Sequence, residues 1–330
     1  MTEQLKLKLN DSKATRWGAL VIVAFTMMAA YYVNDVVAPL KTMLETDLAW
    51  SSTDFGFFTG GYSFLNVFFL MLIWGGLILD RFGIRFTGKL ATILMVGGTA
   101  LEYYAMTGLA GADATLFGIN EIFGYKTGVF VAFAGYSIFG VGAEVAGITV
   151  SKIIAKWFKG KELATAMGVQ VALARIGSQA GYAVAIPLAR AFGISTPVLL
   201  GLVLLLGGMI AFFIFAVMDK KLDKQMEAAA IAAGTEDEEE KFSFKDVKNI
   251  LVNPGFWLIA LLCVLFYSCV FPFQKFASEL MIIKYGINEN VAGTFAGLPA
   301  LGALILTPVF GGFIDKRGKS ASIMLLGSAM

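Results

Sequence analysis

Residues 76–85 read GLILDRFGIR, and residues 311–320 read GGFIDKRGKS. Both stretches fit the pattern Gly-x-x-x-Asp-(Arg/Lys)-x-Gly, and every element of that pattern recurs after 235 residues. Each copy follows a long apolar segment at the same relative position. Glycine permits a tight turn and close helix approach, and the basic residues favour an anionic membrane face. The pattern therefore predicts two related halves, each with a charged turn at the membrane surface.

The composition is that of a polytopic membrane protein. Of the 330 residues, 58% are hydrophobic and 15% are charged, and the mean hydropathy is +0.75. Soluble domains average about 45–50% apolar and about 25% charged residues. A window of about 19 residues, long enough to cross the hydrocarbon core, predicts eight complete spans and a ninth that begins near Lys319. The complete spans are 17–40, 55–79, 87–108, 127–150, 163–185, 196–218, 256–274 and 290–313.

Lysine and arginine are distributed unevenly between the predicted loops. With the N-terminus in the cytoplasm, 20 of the 26 basic residues lie inside and five, including Lys275, lie outside. The remaining one, Arg175, falls within a span. This bias follows the positive-inside rule, so we expect a cytoplasmic N-terminus. The predicted regions are a cytoplasmic tail at 1–16, a six-helix half at 17–218, a cytoplasmic linker (a solvated helix or flexible) at 219–249 and a partial second half at 250–330.

The doubled motif, the inside termini and the long central linker resemble the major facilitator superfamily, whose members have two six-helix halves. The resemblance covers the whole chain and implies an all-α fold with about 8–9 of 12 transmembrane helices present. The repeat offset predicts a second half that continues about 120 residues past Met330, so we expect a C-terminally truncated chain. In that family the motif acts in gating, and the resemblance places this role on Gly76, Asp80, Arg81, Gly83, Arg85, Asp315, Lys316 and Gly318.

A narrower resemblance is to the lysosomal dipeptide-transporter branch of this superfamily. Its residues are GVGAE at 140–144, KWFKGKEL at 156–163, ARIGS at 174–178 and VFPF at 270–273. That branch moves dipeptides by facilitated diffusion, and the resemblance places its substrate-site residues on Glu144 and Arg175. Animal members also use a glycosylated accessory subunit, which nothing in this sequence indicates.

Four ionisable residues lie within the predicted spans: Asp35, Glu102, Glu144 and Arg175. A charge at a helix centre costs about 2.5–3.5 kcal/mol on insertion scales, so each should face a partner or a water-filled cavity. Arg175 can bind a carboxylate with two hydrogen bonds, and Glu144 or Asp35 can hold an ammonium. One cation with two anions favours a zwitterionic solute, although an Arg175–Glu144 pair that only packs the bundle remains an alternative. The substrate-site candidates are Glu144, Arg175, Asp35, Tyr31 and Gln179.

Several functions are disfavoured by what the sequence lacks. There is no histidine, and Cys263 and Cys269 point to different sides of one helix, so histidine relays, Ser–His catalysis and a metal or disulfide site are not expected. We therefore predict no cofactor and no enzyme. The net charge of +2 gives no attraction for nucleic acid. The expected partners are the lipid bilayer and a small-molecule substrate, with the chain acting as a monomer.

These features predict a secondary transporter that works by alternating access, for dipeptides or similar zwitterions. The alternative in the same class is an exchanger or a proton symporter for an organic anion or another small metabolite. A channel or membrane enzyme is the alternative in another class. A plasma membrane, the inner membrane of a bacterium, is the expected location.

Overall fold

The computed structural model describes residues 8–111, 114–233, 251–317 and 322. The helices are α1 (Lys13–Val36), α2 (Lys41–Asp47), α3 (Ser52–Phe68), α4 (Met71–Thr107), α5 (Thr127–Trp157), α6 (Leu163–Phe192), α7 (Thr196–Ala233), α8 (Pro254–Tyr285) and α9 (Glu289–Arg317). Short 3₁₀ turns occupy Leu9–Asp11 and Ala38–Leu40, and a two-residue hairpin pairs Glu121–Ile122 with Tyr125–Lys126. The predicted all-α class is confirmed.

Five helical stretches in the described part of the chain are long and apolar enough to cross a membrane. They contain α1 with α2, and α5, α7, α8 and α9. A sixth is formed if α3 and α4 are taken together, and α6 is not among them. The predicted number of spans is therefore confirmed only in part. The predicted ninth span lies outside the described residues, apart from residue 322.

The second predicted span, 55–79, is interrupted. α3 ends at Phe68 and α4 begins at Met71, because Leu70 has a left-handed φ of 51°. A side chain with a Cβ is strained in that conformation, and the helix cannot continue through it. The two helices are bent by 58° at this break. The prediction of one uninterrupted span over 55–79 is wrong.

Gly83 reverses the direction of the chain within α4. Its φ of 74° and ψ of 174° are outside the helical region and are accessible to glycine at little cost. Before it, the chain runs parallel to α5, and after it the chain runs antiparallel to α5. The neighbouring pairs are Gly61–Phe133 and Gly75–Val145 before the turn, and Ala91–Gly142 and Gly98–Gly135 after it. This reversal is the tight turn that the repeated motif predicts.

α5 contributes many of the buried residues of the core. It packs against α3 and α4, while α1 packs against α6 and α7, and α9 packs against α6 and α8. Buried aromatic side chains, including Tyr136, Phe139 and Trp157, fill the core around α5. α7 continues to Ala233, so it includes the first part of the predicted linker.

Candidate functional site

A cavity of about 530 Å³ lies between α1, α3, α5 and α8. This volume is in the range of small-molecule sites. Most of its wall is apolar or aromatic, and the charged residues among those that line it are Glu144 and Lys275. Tyr31, Thr59 and Tyr62 add hydroxyl groups. The cavity therefore offers a negative and a positive group to one small ligand.

Glu144 is held by α3. The Tyr62 hydroxyl donates a hydrogen bond to Glu144 Oε1 over 2.7 Å. Gly140, one turn earlier on α5, permits this approach, because a Cβ at that position would lie 2.3 Å from the Tyr62 carbonyl oxygen. Glu144 Oε2 has no hydrogen-bond partner among the described residues. Glu144 thus reaches the cavity with one oxygen positioned and the other available to a donor.

Arg175 is not among the residues that line the cavity. Its guanidinium carbon is 5.8 Å from the centroid of the Tyr31 ring, and Tyr31 lines the cavity. This is the geometry of a cation–π contact. No carboxylate of the described residues lies within 4.0 Å of Arg175, so the Arg175–Glu144 pair left open by the sequence is not formed in this structure.

Lys275 was misplaced by the sequence prediction, which put it in an outer loop. α8 continues past it to Tyr285, and Gly286, with a φ of 62°, ends the helix. Its ammonium donates to the Asn34 carbonyl oxygen and, over 3.1 Å, to the Tyr136 hydroxyl. The charged and polar residues that follow position 274 ended the hydropathy window there. The absence of glycine and proline from 274 to 285 was the signal that the helix continues.

Asp35 lies beside this lysine. Its Oδ1 is 3.7 Å from Lys275 Nζ and accepts a hydrogen bond of 2.9 Å from the Asn34 side chain. Asp35 is not among the residues that line the cavity, whereas Asn34 and Lys275 are. The structure therefore places this candidate next to the cavity's cation but outside the lining itself.

Gln179 lies at a contact between the two halves. Its Oε1 is 2.5 Å from the position that a Cβ on Gly297 of α9 would occupy, and this oxygen is buried without a hydrogen-bond partner among the described residues. On the same helix, the Tyr182 hydroxyl donates to the Gln274 carbonyl oxygen over 3.2 Å. Gln179 therefore faces α9 and is not among the cavity-lining residues.

The two halves meet at one end of the bundle, where α1 ends and α3 begins; we call it the closed end. Among the side chains that the structure describes, the hydrogen bonds and ion pairs that join α8 and α9 to the first half use residues 274–290 of those helices. Buried Lys41 pairs with Glu279 and with Glu45, and Phe55 packs edge-on against Phe276. These contacts shut the cavity toward this end.

The repeated loop motif lies at the opposite end. Lys152 of α5 pairs with Asp80 over 3.0 Å, and Arg85 pairs with Asp223 of α7 over 2.8 Å. Exposed Arg81 lies over the Phe82 ring. A Cβ at Gly76 would meet open space. Of the second copy, Asp315 and Lys316 lie in α9 but their side chains are outside the described set, and Gly318 is outside the described residues.

Two further ion pairs hold the start of α1 at this same end. Arg16 pairs with Glu162 over 2.8 Å, and Lys161 pairs with Asp11 over 2.9 Å. The hydrogen bond from Lys161, followed by that from the Lys8 backbone, lowers the pKa of Asp11 below its ordinary value. Backbone hydrogen bonding at Glu162 itself, followed by the bond from Arg16, likewise lowers the pKa of Glu162.

Long apolar helices, a charged cavity between them and charged turns at one end define a multi-pass membrane protein with the architecture of a solute transporter. The family model of the Major Facilitator Superfamily matches residues 17–330. The chain belongs to this superfamily.

The relatives found by sequence comparison are all named as lysosomal dipeptide transporters. The chain is 27% identical to "Lysosomal dipeptide transporter MFSD1" of Homo sapiens over 321 residues, which are 93% of this chain and 63% of that protein. It is 27% identical to the protein of the same name from Pongo abelii, over 91% of this chain and 61% of that protein. The identity to the Gallus gallus protein is 32% over 56% of this chain and 43% of that protein. The chain thus spans about three-fifths of the length of the first two relatives.

Proposed function

We propose that this protein is a secondary or facilitative transporter that moves small zwitterionic solutes, dipeptides in particular, by alternating access. The observation that carries the proposal is the cavity between α8 and the first half, with the Glu144 carboxylate in its wall and the Arg175 guanidinium next to the ring of Tyr31, which lines it. The family and the dipeptide-transporter names of the relatives support it. No chemical step is part of this activity.

The cavity charges suit the two ends of a dipeptide. Glu144 Oε1 is occupied by Tyr62, and Oε2 is available to accept a hydrogen bond from a ligand ammonium. Arg175, with no carboxylate partner among the described side chains, can pair with a ligand carboxylate once Tyr31 moves aside. Such charge-assisted hydrogen bonds contribute about 1.5–3 kcal/mol each. The two groups together therefore favour zwitterions over neutral solutes.

The transport cycle follows from the closed end. With the N-terminus in the cytoplasm, as the lysine and arginine bias indicates, the closed end faces outward and this conformation opens inward. Rocking of the halves about the cavity would break the Lys41–Glu279 contact and expose the cavity on the other side. The motif residues Asp80 and Arg85 would bias this equilibrium, and Asp315 would do so in the second half. We place the protein, as a monomer, in a plasma membrane, the bacterial inner membrane.

The test is transport into proteoliposomes, with the protein in the longest form in which it is expressed. Labelled dialanine should enter vesicles that contain the wild-type protein, and Arg175→Ala should reduce the rate at least about tenfold, as the loss of one charged contact implies. Lys284→Ala is the control, because Lys284 is exposed and is not among the residues that line the cavity. Absence of saturable dipeptide uptake by the wild-type protein would overturn the proposal. Unchanged uptake by Arg175→Ala would remove Arg175 from the site.

A second candidate function is transport of an organic anion by exchange or proton symport. The observation in its favour is that two cations, Lys275 and Arg175, adjoin the cavity, while Glu144 is the carboxylate that lines it. A competition panel of dipeptides and organic anions, measured with and without a pH gradient, separates the two functions. Competition by anions alone, with uptake that follows the gradient, supports the symporter.

A further inference from the structure

We propose that Lys275 is a specificity-determining residue that binds the carboxylate of the transported solute in this conformation. This inference rests on the proposed function and deepens it, because it names the group that distinguishes a free carboxylate from its neutral amide. Lys275 enters the site from α8, so it belongs to the opposite half from Glu144.

The first step is the position of the ammonium. Lys275 lines the cavity directly, whereas Arg175 is not among the lining residues and contacts the ring of Tyr31, which is. Glu144, the other charged residue of the lining, stands on α5. A zwitterion with its amino end at Glu144 therefore finds its nearest cation on the facing helix. A bound solute of this kind would contact both halves of the protein.

The second step is the hydrogen-bonding capacity of the lysine. An ammonium has three N–H donors. Two of them go to the Asn34 carbonyl oxygen and the Tyr136 hydroxyl, while the nearest Asp35 oxygen is 3.7 Å away, beyond ordinary hydrogen-bond length. Asp35 Oδ1 already accepts from the Asn34 amide. One donor of the lysine thus lacks a close acceptor among the described residues, and a ligand carboxylate in the cavity would supply it.

The third step is the burial of this cation. The Lys275 side chain is 14% exposed, and the exposure that remains is toward the cavity it lines. Leaving a buried donor without an acceptor is unfavourable, and more so when the donor is charged. An anionic ligand group removes this cost, whereas an amide at the same place offers a weaker, neutral acceptor. Lys275 should therefore discriminate between acid and amide.

The experiment compares dialanine with its C-terminal amide in proteoliposomes that contain the longest expressed form of the protein. The wild-type protein should transport the acid at least about tenfold better than the amide, as one charge-assisted hydrogen bond implies. Lys275→Met should abolish this preference, and Lys275→Arg should retain most of it. Lys284→Met is the matched control, because Lys284 is exposed on the same helix and should leave the preference unchanged.

The outcomes are distinct. A wild-type protein without an acid preference, or a Lys275→Met variant that keeps it while Arg175→Ala loses it, would overturn the inference and leave the transport function standing. No uptake of either compound by the wild-type protein would overturn the proposed function itself. If Lys275→Met does not fold, Lys275→Gln, which keeps donors for Asn34 and Tyr136, takes its place. It too should lose the preference, and retention by that variant counts against the inference.

Discussion

The ammonium of Lys152 lies 3.0 Å from the carboxylate of Asp80 and joins the aspartate of the repeated loop motif to α5 of the same half. Both side chains are well exposed, Lys152 at 43% and Asp80 at 49%. An exposed pair contributes little to stability, with a typical value below about 1 kcal/mol. The pair therefore serves to orient the turn at Gly83, where the chain reverses, more than to hold the fold together.

A double-mutant cycle on this pair tests that interpretation. Asp80→Asn and Lys152→Met should each change the free energy of unfolding by less than about 1 kcal/mol, and their coupling should be about 0.2–1 kcal/mol. Thermal or denaturant unfolding in detergent micelles measures all four proteins. A coupling above about 2 kcal/mol would show that the turn is held much more firmly than its exposure implies.

Asp219 of α7 has the opposite character, because its side chain is completely buried. It accepts from Lys156 over 2.8 Å and from the Trp157 indole over 3.0 Å. Asp219→Ala leaves the buried Trp157 indole without its acceptor and removes one of the two carboxylates that pair with the partly exposed Lys156, so it should lower the free energy of unfolding by about 1–3 kcal/mol. Asp223→Ala is the control, because Asp223 also pairs with Lys156 but is 40% exposed. Its loss should stay below about 1 kcal/mol, and equal losses in the two variants would refute the assignment.

The approach of α3 to α5 depends on Gly140. A Cβ there would lie 2.3 Å from the Tyr62 carbonyl oxygen, which is backbone and cannot move without the helix. Gly140→Ala should therefore destabilise the protein by about 1–3 kcal/mol and displace Tyr62 from Glu144. Gly147→Ala, two turns later on α5, is the control, because its nearest neighbour is a side-chain methyl at 3.9 Å. That variant should be neutral or slightly stabilising, and the same unfolding loss in both would show that the close approach is not limiting.

Hydropathy and the repeated motif predicted most of the bundle, because apolar spans and a charged turn are local properties of the sequence. They did not predict the break at Leu70, since an apolar stretch gives no sign that one leucine adopts a left-handed φ. The predicted seventh span also stopped before Lys275, because a lysine lowers the mean hydropathy of a window whether its side chain faces water or a buried partner. The hydrogen bond from Tyr62 to Glu144 was not predicted either, because it joins two different helices. Ion pairs between distant helices, such as Lys41–Glu279, depend on helix neighbours that one sequence does not reveal.

The pairing of Asp11 with Lys161 predicts a pH effect. Because the pKa of Asp11 in the folded protein is below its ordinary value near 3.8, the pair stabilises the fold fully above that value. The stabilisation is lost as pH falls through the lower, folded-state pKa. Since both groups are largely solvated, the effect should be below about 1 kcal/mol. The difference in unfolding temperature between wild type and Asp11→Asn should shrink as pH falls below 4, and a difference that grows would contradict this sign.

The burial of Glu102 predicts how substitutions at this position change stability. Its side chain is completely buried between α4 and α5, and neither carboxylate oxygen has a hydrogen-bond partner among the described residues. Replacing a poorly satisfied buried acid with an apolar side chain of similar size is often neutral or stabilising by about 1–4 kcal/mol. Glu102→Leu should thus unfold at the same or a higher temperature, and Glu102→Gln should lie within about 1 kcal/mol of wild type, because it too leaves its polar atoms unpaired.

Transport by the same variants decides whether the acid has a function. If Glu102 only packs the bundle, Glu102→Leu and Glu102→Gln should both carry dialanine at the wild-type rate. A stabilised Glu102→Leu protein that no longer transports would instead show that the cycle needs the carboxyl group. Such a result would fit the location of Glu102. Its backbone packs closely against Gly135 of α5, and the next residue, Tyr136, accepts a hydrogen bond from Lys275 in the cavity wall. A loss of more than about 2 kcal/mol in stability would contradict the prediction, since it requires a native interaction that the buried oxygens do not make here.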